Sequence, residues 1–480
     1  MSQIKQNKND SITRQEDDFA QWYTDVCKKA QLMDYSSVKG FIDYLPYGYA
    51  IWEEIRNYCN RRFKEVGSEN VYLPLVIPQS LFATEKEHVE GFAPECLVCT
   101  IGGNEKLNDP LIIRPTSEIL FSELFRKMVS SYRDLPKVYN QWCSVVRWEK
   151  TTRPFLRGAE FLWQEGHCLF ETAEQAEENA LKVLDIYDDI GKELLAVPFV
   201  KGVKTAHERF AGAVNTYSIE ALMPDGKALQ AGTTHCLGQG FAKAAKIQFL
   251  GRDQKLNTPY QTSWGVSTRL IGAMIMAHGD DNGLVLPPYV APIQAVIVPI
   301  RMDKEPRVLE EANRIKAKLE SLGVRVKLDD SDKTPGWKFA EWEMKGVPLR
   351  IECGPRDLEN NTLSLSKRYN GEKSVLSIDE LDQVPAILKS IHEGMYQKSL
   401  ELLNNSITEV HSMEELKAAL DKGGYAKLMW NENEELEMKI KELTNGGTAR
   451  CYPFDAKPFG DTNPLTGEKA DKVIYFAKAY

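Results

Sequence analysis

"VVRWEKTTRPFLRGAEFLWQEGH", residues Val145 to His167, interleaves charged residues with large aromatics through what reads as strand, loop and returning strand. A buried strand would run as continuous Val, Ile and Leu, and a solvated hairpin would not carry Trp148, Phe155, Phe161 and Trp163. Strand residues at i and i+2 share a face. Arg147 and Glu149 are therefore expected to point one way, and Phe161, Trp163, Glu165 and His167 to share one face of the returning strand. If the two faces coincide, one surface offers a guanidinium, two carboxylates, two aromatic planes and an imidazole. That surface suits a ligand with an anionic group, a flat ring and a small cationic part. Arg153 and Arg157 stand at the loop tip. On pattern alone, a solvated hairpin laced with cross-strand ion pairs is equally open.

A chain of 480 residues suggests roughly three domains at about 150 residues each. Its hydrophobic content of 42% and charged content of 27% are ordinary for a globular protein. The polar start "MSQIKQNKNDSITRQEDDFAQWY" lacks the apolar core of a signal peptide. No apolar run approaches the roughly 18–20 residues that a membrane helix needs. Both features lead us to expect a cytoplasmic protein with no membrane association. The nine cysteines are scattered and odd in number, which argues against a disulfide framework. Cys96 and Cys99 form a single CxxC with no second pair of zinc ligands nearby, so they read as incidental loop thiols. The net charge of −9 argues mildly against non-specific nucleic-acid binding and leaves a local basic groove open.

Apolar spacing predicts helices through much of residues 1–70, then a strand in "NVYLPLVIP" and a strand entering a helix in "PLIIRPTSEIL". Residues 171–195 read as a long amphipathic helix, acidic in its first turns as the helix dipole favours. "VNTYSIEALMPDGKALQAGTTHCLG" reads as two strands around Pro224–Lys227, followed by a third short strand or loop. The texture breaks at "LPPYVAP", residues 286–292. "IQAVIVPI", "RVLEEANRIKAKLESLG" and "VRVKLDD" then make a βαβ unit with parallel strands. No G-x-x-x-x-G-K-[S/T] loop and no G-x-G-x-x-G between strand and helix occurs, so any nucleotide phosphates must be held by side chains. Arginine, a planar and permanently charged fork, is the natural choice.

The hairpin resembles the second signature of class II aminoacyl-tRNA synthetases. Taken with "NQWCSVVRWE", "RPTSE", "QAGTTHCLGQGFAK", "SWGVSTRLIGAMIMAHGDDNGLVLPP" and "TPGWKFAEWEMKGVPLRIECGPRDL", it resembles prolyl-tRNA synthetases of the archaeal/eukaryotic-like type, from about Asp18 to Tyr480. That resemblance implies a multidomain α/β and α+β chain. It would have an antiparallel-sheet catalytic domain over 1–286, an α/β anticodon-binding domain over 293–392 and a small α+β C-terminal domain over 405–480. It implies a ligase that joins L-proline to the 3′ end of tRNA(Pro) with ATP and Mg²⁺, and that works as a homodimer. A non-catalytic synthetase-like tRNA-binding or regulatory protein is the alternative. A threonine enzyme would want a zinc-binding Cys/His set in its pocket, which this sequence does not supply.

The same resemblance implies roles for individual residues. Arg147 would contact the α-phosphate and the amino-acid carboxylate, and Arg269 would be the second catalytic arginine, with Ser267 and Thr268 before it. Glu149 would lie near the adenine, Arg157 would hold the γ-phosphate, Phe161 would stack on the base, and Gln230 and Thr233 would hold the ribose side. Thr116 and Glu118 would receive the proline nitrogen, since a secondary ammonium has two N–H donors. Trp163, His167 and His235 would wall the pocket, while Glu165 would either touch the ligand or orient His167. Pro74 matches the first signature, which builds the dimer interface in this class. Phe339, Glu343, Arg350 and Arg356 would meet the anticodon, whose shared guanines suit Arg and Glu partners and a stacking ring. A Glu343–Arg350 ion pair is the simpler reading of those two residues.

Two departures stand out. The interval from His167 to Gln230 is too short for the editing domain that many bacterial relatives insert there. Relatives also often hold zinc in the C-terminal domain with four cysteines. Here the matching stretches read "KLMWNENEELE" and "DTNPLTGEKAD", and Cys451 is alone, so we expect no metal and hydrophobic packing in its place. The final Ala479-Tyr480 fits a family habit of a terminal tyrosine reaching toward the active-site domain.

Overall fold

The computed structural model describes residues 12–84 and 96–480. The helical reading of the first segment extends over residues 1–11, which lie outside the described residues. Within the described part, helices α1 (Phe19–Lys29) and α2 (Pro46–Glu65) are separated by a hairpin of Met33–Tyr35 with Ile42–Tyr44, which periodicity did not reveal. Asp18 caps α1 by accepting from the Gln21 N–H, and Pro46 opens α2 where its missing N–H costs nothing. Helix α3 (Glu118–Met128) leaves the "RPTSE" stretch. Helix α4 (Ala173–Asp189) starts with a reciprocal cap between Thr172 and Gln175, and α5 is Arg269–His278.

Six antiparallel strands form the centre: β1 (Lys137–Val146), β2 (Glu160–Phe170), β3 (Val200–Val203), β4 (Asn215–Leu222), β5 (Ala228–Gly238) and β6 (Tyr260–Ser267). Their order across the sheet is β3-β4-β5-β6-β2-β1. β5 runs unbroken to Gly238, so the third short strand expected after the Pro224–Lys227 turn is the end of the second. One face of the sheet is covered by helices. Trp22 and Val26 of α1, Trp52 and Phe63 of α2, Val183 and Tyr187 of α4 and Met274 of α5 are buried with Trp264 and Val266 of β6. Gly166 lies opposite Trp264 across β2 and β6, and a Cβ there would stand 2.0 Å from the indole. The glycine lets the indole lie flat on the strand. The other face is left for the site.

Residues 295–377 form a five-stranded sheet whose first three strands, Val326–Leu328, Ala295–Pro299 and Leu349–Cys353, are parallel as the βαβ reading requires. The long helix Val384–Asn405 follows. The C-terminal strands do not make an isolated sheet. Gly447–Pro453 pairs with β3 (Tyr452 with Val203, Pro453 with Gly202), adding four C-terminal strands to one edge of the central sheet; with Glu69–Asn70 beside β1 on the other edge, the sheet has eleven strands. Gly202 permits the join, because a Cβ there would meet the Tyr452 carbonyl oxygen at 2.5 Å. Among the described residues, no helix is long and apolar enough to cross a membrane.

Candidate active site

The open face of β2, β4, β5 and β6 carries a cavity of about 260 Å³ that continues into a shallower one of about 110 Å³. Thr116, Glu118, Arg147, Trp163, His167, Gln230, Thr233 and His235 line the first. Arg147, Phe161, Trp163, Gln230, Thr233, Ser267 and Arg269 line the second. Phe161, Trp163, Glu165 and His167 do share a face of β2, as period 2 requires. Gln164 turns to the helices and hydrogen-bonds the Tyr187 hydroxyl. Gln230 and Thr233 have opposite parity, yet both reach the cavity. The register of β4 against β5 shifts between Ile219 and Glu220, and this bulge brings the two onto one face.

The first strand differs from expectation. β1 ends at Val146, and the Glu149 N–H donates to the Arg147 carbonyl at 2.7 Å, so Arg147 and Glu149 belong to a tight turn and not to a strand. Arg147 is aimed by other means. Its Nε donates to the Pro115 carbonyl at 3.0 Å, and its guanidinium lies 5.5 Å from the Phe161 ring centre and 5.3 Å from that of Trp163. Glu149 and Arg157 line neither cavity and pair with each other at 3.5 Å. Arg269 starts α5, and its Nε and Nη1 donate to the carbonyls of Leu156 and Gln230 at 3.0 and 3.2 Å. Burial, then the nearby Arg157 and Arg147 charges, lowers its pKa to about 10, which still leaves it charged at neutral pH.

At the opposite end Thr116 donates to the Glu118 carboxylate. Beneath them Glu165, 3% exposed, accepts from the Ser117 N–H and hydroxyl at 3.2 and 2.5 Å and from Gln141 Nε2 at 2.9 Å, and lies 3.1 Å from His167 Nε2. Burial opposes its charge, but His167, Ser117 and Gln141 outweigh burial and hold the carboxyl below the usual range. His167 stacks on Phe121 at 4.2 Å. His235 is held by Thr216 Oγ1 at 3.0 Å and Thr233 Oγ1 at 3.1 Å. Burial, then His167, drives its pKa down to about 3, so it is a neutral hydrogen-bonding wall.

Sequence reasoning did not single out Glu208, Phe210, Thr216 and Ser263, which also line the cavity. Thr216 had a readable signal: Thr216, Ser218 and Glu220 are polar at every second position of a strand. Glu208 and Phe210 come from a loop, where no period operates.

In the second sheet Glu343 and Arg350 line one depression, and the Arg350 guanidinium lies 4.0 Å from the Phe339 ring centre. Arg350 pairs with Glu352 at 2.9 Å, which replaces the Glu343–Arg350 ion pair as the simpler reading. Arg356 is exposed on the short helix Pro355–Glu359 and does not line the depression.

Residues 100–278 match the class II tRNA synthetase core domain for G, H, P, S and T, residues 294–385 an anticodon-binding domain, and residues 413–480 the prolyl-tRNA synthetase C-terminal domain. The chain is 54% identical over 473 residues to a proline–tRNA ligase of Clostridium botulinum (strain Loch Maree / Type A3), covering 98% of each chain. It is equally similar, with the same coverage, to proline–tRNA ligases of Ruminiclostridium cellulolyticum and Lachnospira eligens. The chain belongs to the prolyl-tRNA synthetase family. The resemblance seen in the motifs is thereby established over nearly the whole chain, and the class II core accounts for the antiparallel sheet that carries the cavity.

Proposed function

We propose that this protein activates L-proline with ATP and transfers it to the 3′ end of tRNA(Pro). The observation that carries the reading is the position of Arg147, where the two cavities meet, with Thr116 and Glu118 at one end and Arg269 at the other. Glu118 and Thr116 accept the two N–H groups of the proline ammonium, and Trp163, His167 and His235 enclose its ring. Arg147 holds the carboxylate against the α-phosphate. Phe161 receives the adenine, Gln230 and Thr233 the ribose side, and Arg269 the phosphates with Ser267. Glu149 lies near the base and Arg157 at the γ-phosphate, once their mutual ion pair opens.

A proline carboxylate oxygen attacks the α-phosphorus, pyrophosphate leaves, and prolyl-adenylate remains. A terminal ribose hydroxyl of tRNA then attacks the acyl carbonyl, and AMP leaves. The protein supplies positioning and charge stabilisation by Arg147 and Arg269. Among the described residues no cluster of three or more His, Cys, Asp or Glu could cage a metal. Mg²⁺ needs only one or two carboxylates beside substrate phosphates, so it would come with ATP and Glu149 would be the carboxylate nearest to it, with no step assigned to it.

Phe339, Glu343, Arg350 and Arg356 contact the anticodon, with Arg356 meeting it from outside the depression. The exposed Tyr72, Leu75, Val98 and Ile101, near Pro74 and on the adjoining three-stranded sheet, form the face on which a second copy docks. The protein works in the cytoplasm and needs no zinc, which elemental analysis of the purified protein tests. Labelled proline with tRNA(Pro) transcripts tests the function itself. Charging that falls when either anticodon guanine is changed is expected, and charging indifferent to the anticodon would remove the second sheet from recognition.

A further inference from the structure

The loop of residues 204–214 joins β3 to β4 and places Glu208 and Phe210 in the wall of the larger cavity. Phe210 lies against His235 with ring centres 4.6 Å apart, and its N–H donates to Thr216 Oγ1 at 3.1 Å. The first half of this loop is held from the C-terminal strands and helices. Thr205 Oγ1 donates to Glu437 Oε2 at 2.9 Å, and His207 Nδ1 lies 3.1 Å from Glu434 Oε1. Lys204 Nζ donates to Glu220 Oε1 at 2.7 Å, and the other Glu220 oxygen accepts from Arg450 Nε and Nη2 at 3.1 and 2.8 Å. Glu434 and Glu437 belong to the helix Glu434–Leu443, and Arg450 to the strand that pairs with β3. Lys204, Thr205, Glu220, Glu437 and Arg450 are all buried. A buried ionic cluster of this kind is costly to break from one side.

We propose that the C-terminal segment is a clamp on the 204–214 loop, with Glu437 as a positioning residue for selection of the amino acid. The inference rests on the proline-activating function proposed above. Glu437 touches no substrate; it fixes Thr205, and Thr205 sets the stem from which Glu208 and Phe210 reach the cavity. Arg450 and Lys204 anchor the same stem through Glu220. Burial pushes the Glu437 carboxyl up to about 7, with Thr205 opposing, so glutamine is a fitting neutral stand-in that still accepts the Thr205 hydroxyl.

Amino-acid-dependent ATP–pyrophosphate exchange by the full chain tests the clamp. Glu437→Ala is expected to raise KM for proline about tenfold, the effect of about 1.4 kcal/mol. It should leave KM for ATP unchanged and narrow the preference for proline over alanine. Glu437→Gln is expected to restore all three. Thr205→Val removes the same hydrogen bond from the other side and should reproduce the alanine variant, which keeps the test open if Glu437→Ala folds poorly. Unchanged proline KM in Thr205→Val, equal shifts in the KM of proline and ATP, or failure of Glu437→Gln to rescue would overturn the clamp. Absence of proline-dependent exchange in the unaltered protein would overturn the function beneath it.

Discussion

Glu165 accepts hydrogen bonds from Ser117, Gln141 and His167 while standing in the wall of the cavity, so it orients the histidine and shapes the pocket at once. Period 2 put it on the correct face; its partners come from other elements and could not be read from the hairpin. Arg147 shows the opposite case. Its place beside the aromatic rings was legible, but its aim comes from the Pro115 carbonyl and two aromatic rings and not from strand alternation. Arg147→Ala is expected to lower proline-dependent exchange by on the order of 10²–10³ with the fold intact by circular dichroism, the range for removing one charge-stabilising donor. Near-normal exchange would remove it from the reaction. Acid should weaken the fold from an identifiable source. Burial depresses the pKa of His235 to about 3 and of His278 to about 4, so the unfolded chain binds protons first as the pH drops below about 6.5. Glu165, held below the usual carboxyl range, loses its stabilisation only at still lower pH. Glu437, raised by burial to about 7, works the other way over the same range, but the two histidines together outweigh it, so thermal midpoints falling from pH 7 to pH 4.5 are expected; a flat profile would contradict these assignments.

At the scale of elements, β2 and β6 meet through Gly166 and Trp264, a contact made on the helix-covered face. Gly166→Ala is expected to destabilise the protein by about 1–3 kcal/mol, read by urea unfolding, because the indole must move. The bulge between β4 and β5 was invisible to pattern and explains why Gln230 and Thr233 both line the cavity. In the C-terminal segment Trp430, Ile440, Ile474 and Phe476 form a buried core. The two cysteine-lacking stretches are also tied by hydrogen bonds: Asn463 Nδ2 donates to Asn431 Oδ1 at 2.8 Å, and Asn431 Nδ2 to Glu468 Oε2 at 2.7 Å. Asn463 is fully buried, so Asn463→Ala should cost about 1–3 kcal/mol by leaving its partners unpaired, again measured by urea unfolding.

Across the whole molecule, the C-terminal strands continue the central sheet, and Tyr480 donates to Asp225 at 2.6 Å beside the β4–β5 turn. The pairing was not legible because β3 is four residues long and gives no signal of a free edge. The second sheet is fixed to the first by Arg368, whose two Nη groups donate to Asp280 at 2.7 and 2.6 Å. Any pocket that accepts proline excludes alanine poorly, since a missing methylene is worth about 1–3 kcal/mol. With no room for an editing insertion between His167 and Gln230, alanyl-tRNA added to the protein should stay intact, and its hydrolysis would contradict that. The most direct measurement is ATP–pyrophosphate exchange with proline, threonine, alanine and no amino acid. Exchange strongest with proline, weaker with alanine and at background with threonine is the predicted result; exchange independent of amino acid, or strongest with threonine, would contradict the account.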